Sequence, residues 1–498
     1  MHIDRRGFLG SGLAAWGAAR VVPSIFPSTV AQAASGQQIA TNHATSLSRQ
    51  FAQWVAGLRY EDLPAAVVDR VKGLTLQNLA SALVGSQLPA GQQAVSLVTS
   101  EEVGVRSGAT VLVTGSKVTK GGAAFANSEM MLAGGKWDTF RMLTHPGTAI
   151  IPAALCAAEA EGSSGRDFIT AVAAGYEVME RMAADWIPTV MARGFHAGPV
   201  FSIFGAAIAA AKIMRFTEEQ VHATISLCTN LAGSNLESRA LREGAAVRNA
   251  MLAVALAKQG KVGGGEAVLE GPAGFYKAYA GDNSGRLTYS FSGATATSLD
   301  QLTANLGREW ILLETLYRIY SISGYNIAHI DVTAKLCEEN DIKYADVERV
   351  EAVVNWLETQ YPSPAFPQRR EDIGEATRGS TRYYTAYGVV KRGFPMLSVT
   401  TDPPEVIDLM KRVRIIPSHE MPLFAPRITI FTKNGHVYAK QATGREFIWN
   451  FDEEARRIRG VVPGIPIPEA QFEQMIATCR NLDGEDRADA LVRLALKA

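Results

Sequence analysis

Apolar residues recur at helical spacing over much of the chain, and this pattern constrains the fold more than any other feature. Val67, Val71 and Leu74 fall on one face of a helix, because residues three and four positions apart lie side by side. Residues 245–257 are rich in alanine nearly all round, which is typical of a helix buried in a tight bundle. The pattern predicts helices from about residue 46 to residue 312.

The pattern changes near residue 340. Residues 350–356 alternate in the manner of a half-buried strand. Asn434 and Gly435 separate two short runs of strand-forming residues, which predicts a β-hairpin. The sequence therefore predicts a mainly α fold with two parts. These are a large all-helical domain of residues 46–312 and 441–498, and a smaller α+β lid domain of residues 313–440 inserted before the C-terminal helices.

The N-terminus has the features of an export signal. The pair Arg5 and Arg6 precedes a short apolar stretch, and a run of small residues then offers an A-x-A cleavage site after Ala33. The apolar stretch is too short to span a bilayer as a permanent helix. We therefore predict a twin-arginine signal peptide at residues 1–33, a linker at residues 34–45, and a periplasmic protein that contacts the twin-arginine translocation machinery during export.

Composition argues against several classes of function. The chain of 498 residues has 49 basic and 49 acidic side chains, so its formal net charge is zero. Nucleic acids and membrane surfaces attract proteins through a basic face, so we expect no nucleic-acid partner and no membrane-surface role. The longest later apolar run, residues 200–211, is shorter than the ~18 residues of a transmembrane helix, so we also expect no stable membrane insertion. The four cysteines are far apart, and no phosphate-binding loop is present. We therefore expect no zinc or iron–sulfur metal site and no dinucleotide cofactor.

Two histidines lie in loops just before alanine-rich helices. His145 is followed by Pro-Gly, and His196 lies in a loop flanked by glycines. Either imidazole could transfer a proton near neutral pH, although a lone histidine is more often a hydrogen-bonded structural residue. Residues 238–248 place several arginines at a helix start. These arginines would suit a carboxylate ligand, and a solvated helix end is an equally good interpretation.

Short motifs follow one another along the chain: AAFAN at 123–127, HPG at 145–147, GYEV at 175–178, GFH at 194–196, FGAA at 204–207, EGAA at 243–246, LEG at 269–271, GF at 274–275, and SGY at 323–325 ahead of ID at 330–331. In this order they resemble the MmgE/PrpD family, which includes 2-methylcitrate dehydratase and cis-aconitate decarboxylase. The resemblance extends from about residue 46 to residue 496. It implies a homodimer with a cofactor-free site between the helical domain and the lid.

The resemblance also implies a set of site residues. Family members have an Asp-x-Asp-Asp-Thr stretch, and here Gly135 replaces its first acid while Thr139 is kept. His145 and His196 match the family histidines. We therefore predict Thr139, His145 and His196 as catalytic residues. Glu129, Asp138 and Glu177 are candidates, by their position in the sequence, for an acid that replaces the missing one.

Substrate-binding residues follow from two further matches. Arg239 stands where the family commonly has an active-site lysine. The lid pattern Lys-x-Tyr-Pro-x-[Cys/His] appears as residues 318–323, with Arg318 in place of the lysine and Ser323 in the last position. We predict that Arg239, Arg318 and Ser323 bind the substrate. Arginine keeps a carboxylate anchor but does not donate a proton, because a guanidinium stays charged.

These observations predict an enzyme that removes a proton next to a carboxylate of a small di- or tricarboxylate. In the family this step leads to loss of water or carbon dioxide, a lyase reaction. The change at Gly135 removes a proton-transferring group, so an isomerase or epimerase is also compatible. The alternative is a periplasmic protein that binds small carboxylates without turnover.

Overall fold

The computed structural model describes residues 45–102, 105, 107–238, 241–261, 263–360, 379–395 and 402–497. The predicted signal peptide, most of the predicted linker and Arg239 lie outside the described residues.

The first part of the described chain is helical. Ser46, Ser164 and Thr217 each begin a helix, because the side-chain oxygen accepts a hydrogen bond from a backbone N–H of the first turn. The helices are α1 (Leu47–Gly57), α2 (Ala65–Gly85), α3 (Pro89–Glu101), α4 (Lys120–Gly134), α5 (Gly147–Glu161), α6 (Gly165–Ala183), α7 (Ile187–Ala192), α8 (Ala197–Ile213), α9 (Glu218–Leu231), α10 (Arg242–Lys258) and α11 (Phe275–Ala280).

Helix α8 lies in the middle of this part and is buried along almost its whole length. It packs on α5, α6, α9 and α10. The backbones of α6 and α8 approach closely where two glycines meet, since a Cβ added to Gly175 would lie 2.6 Å from the carbonyl oxygen of Gly205. Small residues therefore set the distance between the helices that carry the candidate site.

Two short antiparallel ribbons interrupt the helices. Strand β1 (Ala109–Thr110) pairs with β2 (Lys117–Val118). Strand β3 (Trp137–Thr139) pairs with β4 (Leu316–Arg318), which joins segments far apart in the sequence.

The later part of the chain combines helices with a four-stranded sheet of order β6-β5-β7-β8. Strands β5 and β6 are parallel and the other pairs are antiparallel. A second apolar core lies between this sheet and helices α12, α13 and α14. The elements are α12 (Gly324–Glu339), β5 (Val347–Asn355), α13 (Thr381–Lys391), α14 (Pro404–Met410), β6 (Val413–Ser418), β7 (Arg427–Thr432), β8 (Val437–Gln441), α15 (Phe451–Ile458), α16 (Glu469–Arg480) and α17 (Ala490–Leu494).

The mainly α fold with a smaller α+β part is confirmed. So is the hairpin at Asn434 and Gly435, which joins β7 to β8. No helix among the described residues combines the length and apolar character needed to cross a bilayer. In the same part of the chain, no group of three or more His, Cys, Asp or Glu side chains is arranged to hold a metal ion.

Candidate functional site

The β3–β4 ribbon brings Arg318 to the segment that contains Thr139. Trp137 pairs with Arg318, and Thr139 pairs with Leu316. The guanidinium carbon of Arg318 lies 4.5 Å from the centre of the Trp137 ring, and the Arg318 Nε donates to the carbonyl oxygen of Ile322. Arg318 is therefore held in place by the ribbon, by an aromatic face and by its own backbone turn.

His145 is held beside this ribbon as a neutral imidazole. Its Nδ1 lies 3.0 Å from the carbonyl oxygen of Asp138 and 3.5 Å from the Thr139 Oγ1. A carbonyl oxygen only accepts, so Nδ1 carries the hydrogen and Nε2 has a lone pair. Burial and the charge of Arg318 lower the pKa of His145 well below its usual value. These features suit a general base at neutral pH.

Asp138 positions His145 without its carboxylate bonding the imidazole. The carboxylate accepts from the backbone N–H of Gly147 at 2.8 Å and from the Tyr176 hydroxyl at 2.6 Å. These bonds tie β3 to the start of α5 and to α6, so the loop that carries His145 is fixed at both ends. Burial raises the pKa of the Asp138 carboxyl to about 6.

His196 stands immediately before α8. Its backbone N–H donates to the carbonyl oxygen of Ser234 at 3.0 Å. Its Nε2 lies 2.7 Å from the Arg242 Nη1, and because a guanidinium only donates, Nε2 accepts. His196 is therefore also neutral, and in this geometry it orients Arg242.

Arg242, the first residue of α10, joins the two histidines into one cluster. Its charge, like that of Arg318, adds to burial in lowering the pKa of His145. The sequence had drawn attention to residues 238–248 but singled out Arg239 from them. Arg242 is the first residue of α10, and the clustering of arginines in this segment was the signal available in the sequence.

Two buried carboxyl groups lie behind Arg242. Glu243 has no exposed surface, and its Oε2 lies 3.6 Å from the Arg242 Nε. A Cβ added to Gly198 would lie 2.6 Å from the Glu243 Oε1 and 3.2 Å from the His196 Nδ1. The carboxylate and the imidazole are therefore close neighbours beside Gly198. Glu129 accepts from the Gly244 N–H at 3.2 Å, and burial together with the charge of Glu243 raises its pKa to about 7.

Of the three candidate acids, Glu129 has its carboxyl group within the electrostatic influence of Arg242 and Glu243, whereas Asp138 contacts His145 through its backbone carbonyl. Glu177 instead forms an ion pair with Arg181 at 2.6 Å and accepts from the backbone of Ile311 and Leu312. These contacts hold α6 to the chain that leads into β4. Glu243, which sequence reasoning missed as a chemical group, is the second buried acid of the site.

The position of the missing family acid is occupied by neighbours. Gly135 ends α4 in the left-handed conformation, with φ of 69°, and a Cβ added there would lie 2.6 Å from the Ser321 Oγ. Lys136 is only 7% exposed, and its Nζ donates to the same hydroxyl at 3.3 Å. Burial and the charge of Arg318 lower the pKa of Lys136. Lys136 was not among the predicted site residues.

Comparison with known proteins supports the resemblance seen in the motifs. Residues 49–288 match the model of the MmgE/PrpD N-terminal domain. A cis-aconitate decarboxylase-like protein of Aspergillus oryzae is 24% identical over 307 residues, 58% of this chain and 61% of that relative. Cis-aconitate decarboxylase of Aspergillus terreus is 25% identical over 410 residues, 77% of this chain and 80% of the relative. The Mus musculus enzyme of that name is 24% identical over 429 residues, 80% of this chain and 82% of the relative.

The match to the MmgE/PrpD N-terminal domain contains most of the site. Thr139, His145, His196 and Arg242 lie within the matched residues, and the β3–β4 ribbon adds Arg318 from beyond them. Ser323, the other predicted lid residue, precedes α12 and makes no capping hydrogen bond with its side chain. The structure thus brings together five of the predicted and newly found groups: Thr139, His145, His196, Arg242 and Arg318.

Proposed function

We propose that the whole chain is a member of the MmgE/PrpD family and removes a proton next to a carboxylate of a small di- or tricarboxylate. The observation that carries the proposal is a neutral His145 placed within the electrostatic influence of two guanidinium groups, those of Arg318 and Arg242. The Nε2 lone pair of this imidazole can take a proton. The domain match and the similarity to proteins named cis-aconitate decarboxylase support it.

The proposed mechanism uses these groups in order. Arg318 and Arg242 bind substrate carboxylates, and their charge stabilises the enediolate that forms when a proton leaves the adjacent carbon. His145 Nε2 takes that proton, and Thr139 donates a hydrogen bond to the substrate. The imidazolium of His145 then returns this proton to the departing β-hydroxyl, which gives an alkene and water. Return of a proton to the other face would give an isomer instead.

The remaining parts of the proposal rest on the sequence. The resemblance favours a homodimer that needs no cofactor, and the twin-arginine motif favours a periplasmic location. The helical domain would be formed by residues 46–312 and 441–498, and the lid by residues 313–440.

A binding protein without turnover is the second candidate. The glycine at position 135 favours it, because the acid found in related enzymes is absent and Ser321 fills the adjoining space. The two candidates differ in one measurable property, which is the exchange of carbon-bound protons with solvent.

The test uses purified protein in D₂O with 2-methylcitrate, citrate, cis-aconitate and aspartate-derived dicarboxylates, followed by NMR. We expect deuterium incorporation or a new product with at least one compound, and a loss of roughly 10²-fold or more in rate for His145→Ala. His222→Ala, which changes a buried histidine on α9, should keep the wild-type rate. Ligand-induced thermal shifts without exchange or product would support the binding protein and overturn the enzyme.

A further inference from the structure

The Lys136 side chain has an unusual environment for a buried cation. Its Nζ donates to the Ser321 hydroxyl at 3.3 Å, and it forms no ion pair with any described residue. A buried ammonium group without a counter-ion is unfavourable, because it loses hydration and gains no charge partner. A buried titratable group with a perturbed pKa beside a specific charge is a candidate for ligand binding or for a chemical role.

Arg318 makes this environment still less favourable for a charge on Lys136. Its guanidinium raises the electrostatic energy of the ammonium form. Two cations on one side of a site repel each other unless an anion lies between or beside them. The surroundings therefore favour a negatively charged group of a ligand next to Lys136.

The segment around Gly135 has no carboxylate of its own to neutralise Lys136. Gly135 has no side chain, and the Ser321 Oγ takes the space into which one would project. At the position where the resemblance implies a carboxylate of the protein, this chain presents a hydroxyl and an ammonium. The hydroxyl accepts from Lys136 and donates to the carbonyl oxygen of Gly135 at 3.5 Å, so it holds the ammonium, whose further N–H groups match a carboxylate of the ligand.

We propose that Lys136 and Ser321 form an additional carboxylate subsite, and that this subsite makes the protein selective for ligands with three carboxylates over those with two. The inference deepens the proposed function, since Arg318 and Arg242 would hold the other two carboxylates. It names specificity residues that the resemblance does not supply.

The test compares two inert probes that differ by one carboxylate, propane-1,2,3-tricarboxylate and glutarate. Their affinities are measured by isothermal titration calorimetry at pH 7 for the wild type, for Lys136→Met and for Lys212→Met. Lys212 is a matched control, because burial lowers its pKa too, while its Nζ binds the carbonyl oxygens of Val55 and Ala56 at 2.7 and 3.1 Å.

We expect the wild type and Lys212→Met to bind the tricarboxylate at least about tenfold more tightly than glutarate, as a charge-assisted hydrogen bond predicts. In Lys136→Met this preference should fall to less than about threefold. An unchanged preference in Lys136→Met, or equal affinities in the wild type, would overturn the subsite while leaving the proposed function intact. If the wild type binds neither probe, the proposed function fails with it.

The folding of the variant is checked by thermal unfolding without ligand. Because methionine removes an unpaired buried charge, Lys136→Met should be at least as stable as the wild type. A variant that does not fold would assign Lys136 a structural role and contradict the subsite. The wild-type preference between the two probes is a second test, which does not depend on the folding of any variant.

Discussion

The two histidines of the site are both neutral, but their contacts give them different capacities. His145 is held through Nδ1 by a backbone carbonyl, so its Nε2 lone pair is available to a ligand. His196 uses its Nε2 to accept from Arg242. His145 is therefore the better base, and His196 acts first by placing a guanidinium.

Replacing Arg242 by methionine tests this arrangement. The change removes a carboxylate anchor, leaves the His196 Nε2 without this donor, and leaves the buried Glu243 without its nearby cation. We expect citrate affinity to fall about tenfold or more and the free energy of unfolding to fall by about 1–3 kcal/mol. Calorimetry and urea unfolding provide the two values.

Arg248→Met is the matched control on the same helix. Arg248 is exposed and pairs with Glu102 at 2.6 Å, and such surface pairs contribute less than about 1 kcal/mol. Equal effects of the two substitutions on citrate affinity would show that Arg242 is an ordinary charge at a helix end.

Glu129 predicts a pH dependence of stability. Its pKa in the folded protein is about 7, above the ordinary value of 4.5, so the folded state binds this proton more tightly than the unfolded state. The free energy of unfolding therefore falls as the pH rises from about 4.5 to about 7, by roughly 3 kcal/mol from this group. In Glu129→Gln, this part of the pH dependence of the unfolding free energy should be absent.

The measurement is urea unfolding of the wild type and Glu129→Gln at pH 5 and pH 8. Relative to the wild type, the glutamine variant should be more stable at pH 8 than at pH 5. Glu101→Gln, which changes an exposed carboxylate at the end of α3, should follow the wild type. A Glu129→Gln profile parallel to that of the wild type would contradict the raised pKa.

At the scale of the elements, the site depends on how α4 ends and on the pairing of β3 with β4. Gly135 turns the chain out of α4 in the left-handed conformation, and Trp137 then enters the ribbon. Gly135→Ala should destabilise the protein through backbone strain and through contact with Ser321. We expect the free energy of unfolding, measured with urea, to fall by about 1–3 kcal/mol, of which about 1 kcal/mol is backbone strain.

Gly260→Ala is a control that measures the backbone strain without a side-chain contact. Gly260 has a similar φ of 81°, and nothing lies within 4 Å of a Cβ added there. The excess loss in Gly135→Ala should disappear when Ser321→Gly is added, because the second change removes the contact. Equal losses at the two glycines, with no effect of Ser321→Gly, would show that Ser321 does not fill the position.

The sequence predicted the elements that have a strong local pattern and missed those made by distant pairing. The helices and the β7–β8 hairpin follow from periodicity and from Asn434-Gly435. Strands β3 and β4 have three residues each, too few for a period-two pattern to stand out. The positions of Lys136 and Trp137 beside Arg318 therefore required the structure, since that pairing decides them.

The same limit explains why Arg242 could not be identified as a site residue from the sequence. A charged helix start is usually solvated, so nothing local distinguished Arg242 from Arg239 or Arg248. Burial of Glu243 directly behind Arg242 is a property of how α10 packs on α4 and α8. His145 and His196 were found because each lies in a loop with its own motif.

At the scale of the whole molecule, helix α10 has one face toward the site and another toward solvent. The outer face carries Leu252, which is 48% exposed, and lies beside a groove of about 500 Å³ that includes Met214 and Met251. Met251 is buried and Lys120, Arg248 and Lys258 also line the groove, so Leu252 is the apolar side chain that a second copy of the chain could cover. We propose that the expected homodimer forms through this face.

Leu252→Glu tests that interface. A charge on the face should prevent burial, so light scattering after gel filtration should give a dimer for the wild type and a monomer for the variant. Leu97→Glu changes a leucine on α3 that is 46% exposed, and it should remain dimeric. A monomeric wild type, or a dimeric Leu252→Glu, would exclude this interface.

The central claim is that a neutral His145 takes a proton from a carboxylate substrate held by arginines. The most direct measurement is the initial rate of deuterium incorporation next to a carboxylate, by NMR in D₂O, for the wild type, His145→Gln and Arg318→Gln. We predict exchange in the wild type and losses of about 10²-fold or more in both variants, with ligand binding retained by His145→Gln. Wild-type exchange that His145→Gln leaves unchanged would contradict the claim.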